Sequence, residues 1–362
     1  MNRKNLLYLN LSVDEKDVSL GFAKTWTDQF SKNFDNVDII TLNKPVENIE
    51  YQNVKIYGIA KDNKSTKFNK YKQIKNIIQK LTTETNYDLC FSHMSPLLIV
   101  LTRIYSKTKH IPTVLWYTHP KPKELSKRAI LLLSLFFSNK VVTASNSSFP
   151  YKSKKVNVIG HAIDYELFES KRNNLLNKDF IILSRISQSK NIELALDSFL
   201  NSKFKNNLIT VVGDSVTTQD KEYKNFLENR YKNNDNVIFE GKVPHNILPT
   251  VLSNYSFHIN ATPLGFYDKS VLETLSAGLF NFYSNSDYNK LFSDDLIQFT
   301  NFKLNKSSLT ENLNTVYDLE QETILEIVKL GQINASNESI KTIDKGGITI
   351  PMMIAVMLPT YE

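Results

Sequence analysis

A single cysteine, Cys90, in 362 residues excludes an intrachain disulfide and fits a reducing compartment. It lies in the strand-like Asp88-Leu89-Cys90-Phe91, where a buried small hydrophobe explains it better than a nucleophile does. No run of about 18 apolar residues occurs, so no membrane-spanning helix is expected. Met1-Asn2-Arg3-Lys4 leads straight into a strand without an apolar leader or cleavage site, so a cytosolic location is the expectation. Several chemistries are missing with their motifs. No His/Cys grouping has zinc spacing, and there is no P-loop, no GxSxG elbow and no acidic pair of the glycosidase kind. The dinucleotide fingerprint GxGxxG is absent too. Neither a metal nor a cofactor is therefore expected.

What is present is enough to fold. Apolar residues make up 41% and charged residues 22%, a balance that supports a globule, and the length suits two domains rather than one core. The net charge of +7 is unevenly spread. Seven lysines fall in Lys61–Lys80, and a second basic cluster, Lys121 to Arg128, precedes the apolar Leu131–Phe137. Basic residues beside an amphipathic helix suit an anionic membrane surface. The competing reading is a solvated helix face in a lysine- and asparagine-rich chain. Nucleic acid is not an expected partner, because no recognised binding motif accompanies the charge.

Strand-like apolar runs alternate with helical periodicity, the pattern of a parallel α/β sheet. The first half carries strands near residues 6–11, 37–42, 54–59, 89–92, 113–117, 141–144 and 156–159. A helix over 21–34 places Phe22, Trp26, Phe30 and Phe34 on one face. The pattern restarts with strands near 180–183, 208–212, 237–240, 257–261 and 281–284, with helices between them. Two Rossmann-like domains facing across a cleft are expected, over 1–168 and 180–335. A polar linker, 169–179, separates them, and an atypical tail, 336–362, follows that could pack back on the first domain. Ligands in such sheets sit beyond the strand C-termini, and the informative residues fall there.

The stretch from Gly265 to Gly278 is the most telling. It follows the strand Phe257–Ala261 and opens a helix with Asp268 and Lys269 at its start and Glu273 one turn further on. A helix start offers unpaired N–H groups and the positive dipole end, which suit a phosphate. Glu273 adds two acceptors for vicinal sugar hydroxyls; the plain alternative is a solvated i,i+4 Lys–Glu pair. Arg185 and Lys190 follow the strand 180–183, where a guanidinium fork and a mobile ammonium could neutralise a diphosphate. Gly213 makes a strand-to-loop turn that admits close backbone approach, and Gly21 does the same where the first strand meets its helix. His93 and His119 end neighbouring strands of the first domain, placed to donate to a sugar hydroxyl or phosphate oxygen or to serve as structural histidines. Val243-Pro244-His245 could line a base pocket, with His245 read as an exposed loop residue.

Taken in order, Leu20-Gly21-Phe22, His93-Met94-Ser95-Pro96, Trp116-Tyr117-Thr118-His119, Gly160-His161-Ala162-Ile163-Asp164 and Asp268-Lys269-Ser270-Val271-Leu272-Glu273, with Gly278 closing the last motif, make the chain resemble the GT-B-fold retaining glycosyltransferases of family 4 (group 1) over nearly all of residues 4–335. The resemblance implies that Arg185 and Lys190 bind the donor diphosphate, that Glu273 binds the nucleotide ribose and that His119 lies near the transferred sugar. It also implies that no metal is needed. Two positions depart from the pattern. Gly265 stands where many members carry a first glutamate, which would leave Asp268 or backbone N–H groups to hold the donor sugar. Ala162 replaces the usual glycine of that turn.

The expected activity is transfer of a sugar from a nucleotide-diphosphate sugar to an acceptor hydroxyl on a glycan or lipid-linked molecule, in cell-envelope polysaccharide or glycoconjugate synthesis. A non-catalytic binding subunit on the same fold and a nucleotide-sugar epimerase are the rivals.

Overall fold

The computed structural model describes residues 4–13, 23–43, 51–59, 66–107, 111–161, 163, 165–170 and 177–338. Gly21, Lys61, Lys64, Ala162, Asp164, residues 171–176 of the expected linker and the tail beyond 338 lie outside them. The chain divides into two compact units, with the boundary between Ile159 and Gly160.

The first unit runs β1 (Asn5–Ser12), α1 (Ala23–Asn33), β2 (Asn36–Asn43), β3 (Val54–Gly58), α2 (Lys67–Glu84), β4 (Leu89–His93), α3 (Pro96–Tyr105), β5 (Thr113–Trp116), α4 (Leu125–Phe137), β6 (Lys140–Thr143) and β7 (Val156–Val158). Its seven parallel strands lie in the order β3-β2-β1-β4-β5-β6-β7. Side chains alternate across a strand, and here both faces are apolar. Leu6 and Tyr8 of β1 join Trp26, Phe30, Phe91 and Trp116 on one face. Leu7 and Leu9 join Ile78, Cys90, Leu98, Leu115 and Leu131 on the other. Aromatic edges lock the first layer: Tyr8 meets Phe30 at 5.1 Å and Trp26 meets Trp116 at 5.6 Å between ring centroids. Burial of each such ring stabilises the unit by about 1.5–3 kcal/mol.

The second unit runs α5 (Tyr165–Phe168), β8 (Phe180–Leu183), α6 (Ile192–Leu200), β9 (Ile209–Val212), α7 (Thr218–Tyr231), β10 (Val237–Gly241), α8 (Leu248–Leu252), β11 (Phe257–Asn260), α9 (Lys269–Ser276), β12 (Phe280–Tyr283), α10 (Asp294–Thr300), α11 (Lys306–Tyr317) and α12 (Gln321–Glu338). Five parallel strands lie in the order β10-β9-β8-β11-β12. Phe180 stacks on Phe257 at 4.7 Å across the central pair, and Phe199 and Phe204 close on the same ring. Helix α12 crosses α9 so closely that a β-carbon on Gly331 would lie 2.7 Å from Leu275 Cδ2.

In both sheets the chain reverses its direction of travel at one strand pair, β1/β4 in the first and β8/β11 in the second. Loops leave such a pair in opposite directions and open a crevice at the strand C-termini. The sequence therefore places its chemistry by topology: His93 ends β4, while Arg185 and Asp268 follow β8 and β11.

Candidate active site

At the β8/β11 pair the loop after β8 makes one short helical turn, Gln188–Lys190, before α6. Asn191 joins the two in the left-handed conformation at φ 48°, which asparagine tolerates better than most residues. Its side chain donates to the Ala261 carbonyl at 2.9 Å and so fastens this loop to the end of β11.

That fastening brings Lys190 onto Asp268. The Lys190 ammonium donates to both carboxylate oxygens, at 2.6 and 2.7 Å, with the two side chains only 11% and 18% exposed. Asp268 Oδ2 also accepts from Asn260 Nδ2 at 3.1 Å and Thr262 Oγ1 at 2.7 Å. The Tyr288 hydroxyl donates to the Asp268 carbonyl at 3.0 Å. Burial pushes this carboxyl up, but Lys190, Asn260 and Thr262 outweigh it and hold it at about 2. Lys190 is thus no mobile ammonium. It is a fixed cation whose charge Asp268 already balances, and Phe266 lies beneath it at 5.5 Å.

Asp268 is the N-cap residue of α9 but makes no capping bond with its side chain, having turned to Lys190 instead. Lys269 opens the helix, and burial pulls its ammonium below the ordinary lysine range, an effect that Glu273 one turn on partly offsets. Glu273 is itself buried, 7% exposed, and its Oε1 lies 3.2 Å from His245 Nε2. His245 stands edge-on to Phe168 of α5 at 5.2 Å. His245, read from sequence as an exposed loop residue, is exposed and also meets the buried carboxylate; no local pattern announces a contact between residues 28 positions apart.

Arg185 is exposed, with no hydrogen bond or ion pair among the described residues. Its backbone is held firmly. Ser184 N and Ile186 N donate to the carbonyls of Val212 and Asp214 at 3.1 and 3.0 Å. Gly213 makes this approach possible: at φ 144° a β-carbon there would lie 1.8 Å from the Ser184 oxygen. Gly213 serves the site from behind, by letting β9 end against the base of Arg185. Asp214 is held below the usual carboxylate range chiefly by Lys224, which donates to it at 2.9 Å.

Behind α9, His258 of β11 is fully buried. Asn281 Oδ1 accepts from His258 Nδ1 at 2.6 Å and from the Thr274 hydroxyl at 2.8 Å. Burial lowers this imidazole to about 4, so it is neutral near neutral pH. Asn260, Thr262, Tyr288 and His258 are organising residues that motif reading passes over.

In the first unit, His93 is 3% exposed, with Nδ1 3.3 Å from Asn10 Oδ1 and its ring 5.1 Å from that of Trp26. His119 is exposed beyond the end of β5, its ring edge-on to Tyr117 at 6.1 Å. Among the described residues, no group of three or more His, Cys, Asp or Glu side chains is placed to hold a metal ion.

No family model matches the chain, and no curated protein matches its sequence. Solved structures match its fold along nearly the whole length. The HepE protein of Anabaena, solved with UDP and glucose, superposes with a TM-score of 0.72 at 15% identity, covering 98% of this chain and 99% of its own. Sucrose-phosphate synthase from Thermosynechococcus elongatus gives 0.73 at 12% identity over 92% and 94%. The lipopolysaccharide outer core galactosyltransferase WaaB gives 0.59 at 12% over 92% and 98%. The chain has the GT-B fold, two Rossmann-like α/β units.

Proposed function

We propose that the protein is a glycosyltransferase acting on a nucleotide-diphosphate sugar. The observation that carries this reading is the convergence, at the β8/β11 pair of a GT-B fold, of an exposed Arg185, the Lys269-bearing start of α9 and the buried carboxylate of Glu273. Those groups match a diphosphate and a ribose diol respectively. The HepE protein, which shares the fold, has been solved with UDP, with UDP and glucose, and with UDP-glucose, which makes UDP-sugars the first donors to try.

In this reading the bond from the sugar anomeric carbon to the β-phosphate oxygen breaks, and its electron pair stays on that oxygen. The acceptor hydroxyl oxygen forms the new bond to the anomeric carbon and gives its proton to the departing diphosphate. Arg185 and Lys269 stabilise the growing phosphate charge, a task that preorganised donors do well. Lys190 works as half of a neutral pair, and Asp268 fixes it there rather than holding the donor sugar alone. Glu273 takes the ribose. Retention at the anomeric carbon and independence from metal follow from the family resemblance, as does the placing of His119 near the transferred sugar. His93 and Gly21 of the first unit and Gly213 of the second are read as substrate-binding residues. The unit that ends at Ile159 is read as the acceptor side and the unit that begins at Gly160 as the donor side. The acceptor is a glycan or lipid-linked hydroxyl of a cell-envelope or glycoconjugate pathway, met by a cytosolic enzyme at the inner membrane face.

A thermal-shift screen against UDP-, GDP-, ADP- and CMP-sugars tests the reading. Stabilisation by one donor, lost in Glu273→Ala, is the expected outcome. No shift with any donor in a folded sample favours the non-catalytic binding subunit.

A further inference from the structure

Helix α4 is apolar on the wrong side. Its inward residues Leu131 and Ser134 are buried against the unit. Its outward residues include Leu125 at 78% exposure, Leu132 at 47%, Leu133 at 45% and Phe136 at 74%, with exposed Ala129 between them. The spacing i, i+4, i+7, i+8, i+11 makes one continuous stripe, on the face where a surface helix is ordinarily polar. The neighbouring helices continue it. α3, which packs against both α2 and α4, exposes Leu97 and Ile104, and α2 exposes Phe68 and Tyr71. Among the described residues no other set of adjacent helices gathers so many exposed large hydrophobic side chains.

The charge on these three helices is predominantly positive. The three helices contain eight Lys or Arg and a single carboxylate, Glu84. Lys121 and Lys123 stand exposed ahead of α4, and Lys127 and Arg128 lie in its first turn. Lys127 pairs with Glu124 at 2.9 Å, and Arg128 Nε donates to the Pro122 carbonyl at 2.7 Å, which holds the cations beside the stripe.

We propose that this face, α4 with the outer residues of α3 and α2, is the surface by which the protein docks on an anionic lipid bilayer. A stripe of Leu and Phe flanked by Lys and Arg lies flat at the interface: the apolar side chains enter the acyl boundary and the cations remain among anionic headgroups. A second copy of the chain fits less well, since a two-fold contact sets each patch against itself and brings the same cations together. The inference extends the reading of a transferase at a membrane. Its basis is the first unit alone, and its test uses no sugar donor.

Full-length protein is sedimented with sucrose-loaded vesicles of pure phosphatidylcholine, or of phosphatidylcholine with about one third phosphatidylglycerol, the anionic lipid that supplies the attraction. Binding to the anionic vesicles, weakened several-fold by raised salt, is expected. The double variant Leu132→Ser/Phe136→Ser should bind at least about tenfold more weakly, because two large apolar side chains no longer leave water. Lys121→Gln/Lys123→Gln/Lys127→Gln should lose most of the salt dependence. In a separate Phe136→Trp protein the emission of the introduced indole should shift to the blue when anionic vesicles are added, against the constant background of the buried Trp26 and Trp116. Absence of binding, unchanged binding in the Leu132/Phe136 variant, or an unshifted emission from the Phe136→Trp protein overturns the proposal. So does a dimer in light scattering that the same double variant dissociates, which would assign the face to a second copy. If vesicles bind while no nucleotide sugar shifts the melting temperature, the transferase reading fails and this one stands.

Discussion

The two units share a topology and differ at the edge where the topology opens. The β8/β11 edge of the second unit carries a fixed polar lattice: Lys190, Asp268, Asn260 and Thr262 in one group, Glu273 and His245 in another. The β1/β4 edge of the first carries a buried aromatic layer, with His93 packed on Trp26 and His119 exposed beyond β5. Strand order decides where a crevice opens, but side-chain chemistry decides what can occupy it. A charged ligand suits the edge whose dipoles are already oriented, because reorganising them costs nothing at the moment of binding.

The contrast can be broken most severely at Asp268. Asp268→Ala leaves the Lys190 ammonium enclosed and unpaired, and should cost about 3–5 kcal/mol of stability in urea unfolding. Adding Lys190→Met should recover much of that loss, since the uncompensated charge is then gone. Arg185 presents the reverse case. It has no partner among the described residues, so Arg185→Ala should leave stability nearly unchanged while lowering turnover by about 100- to 1,000-fold, or about 2.7–4 kcal/mol, if it stabilises the leaving diphosphate. Loss of less than threefold would remove it from the mechanism.

Acid separates the second unit by another route. Unfolded histidine takes up its proton near 6.5, but His258 in the folded chain does so only near 4. Between those values the unfolded state binds more protons, so stability should fall as pH drops from about 6.5 to about 4, by about 3 kcal/mol in all. Melting curves across that range check the sign, and a His258→Gln protein should show a flatter dependence. Gly213→Ala should cost about 1–3 kcal/mol through the clash with Ser184 and the strained φ. It should also lower donor affinity by shifting Arg185. The first unit's edge should respond as weakly: His119→Ala should change stability by no more than about 0.5 kcal/mol, as an exposed substitution does. A large loss there would erase the contrast between the two edges.

Much of this was legible in the residues. Every strand was placed to within a residue or two, because runs such as Leu6–Leu11 and Phe257–Ala261 are buried on both faces and read as continuous apolar segments. Lys269 and Glu273 were legible as one turn of helix because their spacing is local. One feature was misread and one was left undecided. Lys190 was taken as mobile, since nothing near it in sequence shows that Asp268, 78 residues on, receives it. Helix α4 was marked by its basic cluster and apolar run, but which of its leucines face outward depends on how the helix docks.

Composition and hydrophobic period, which are properties of neighbouring residues, thus determined the α/β class, the restart of the pattern in a second unit and the helix start that suits a phosphate. Tertiary structure alone decided the partners: Asp268 for Lys190, His245 for Glu273, the Ser184 carbonyl for the bare face of Gly213, and water for the leucines of α4. Each of those depends on the parallel strand order, which joins segments far apart in the chain, and on burial, which makes an unmatched charge too costly to leave unpaired.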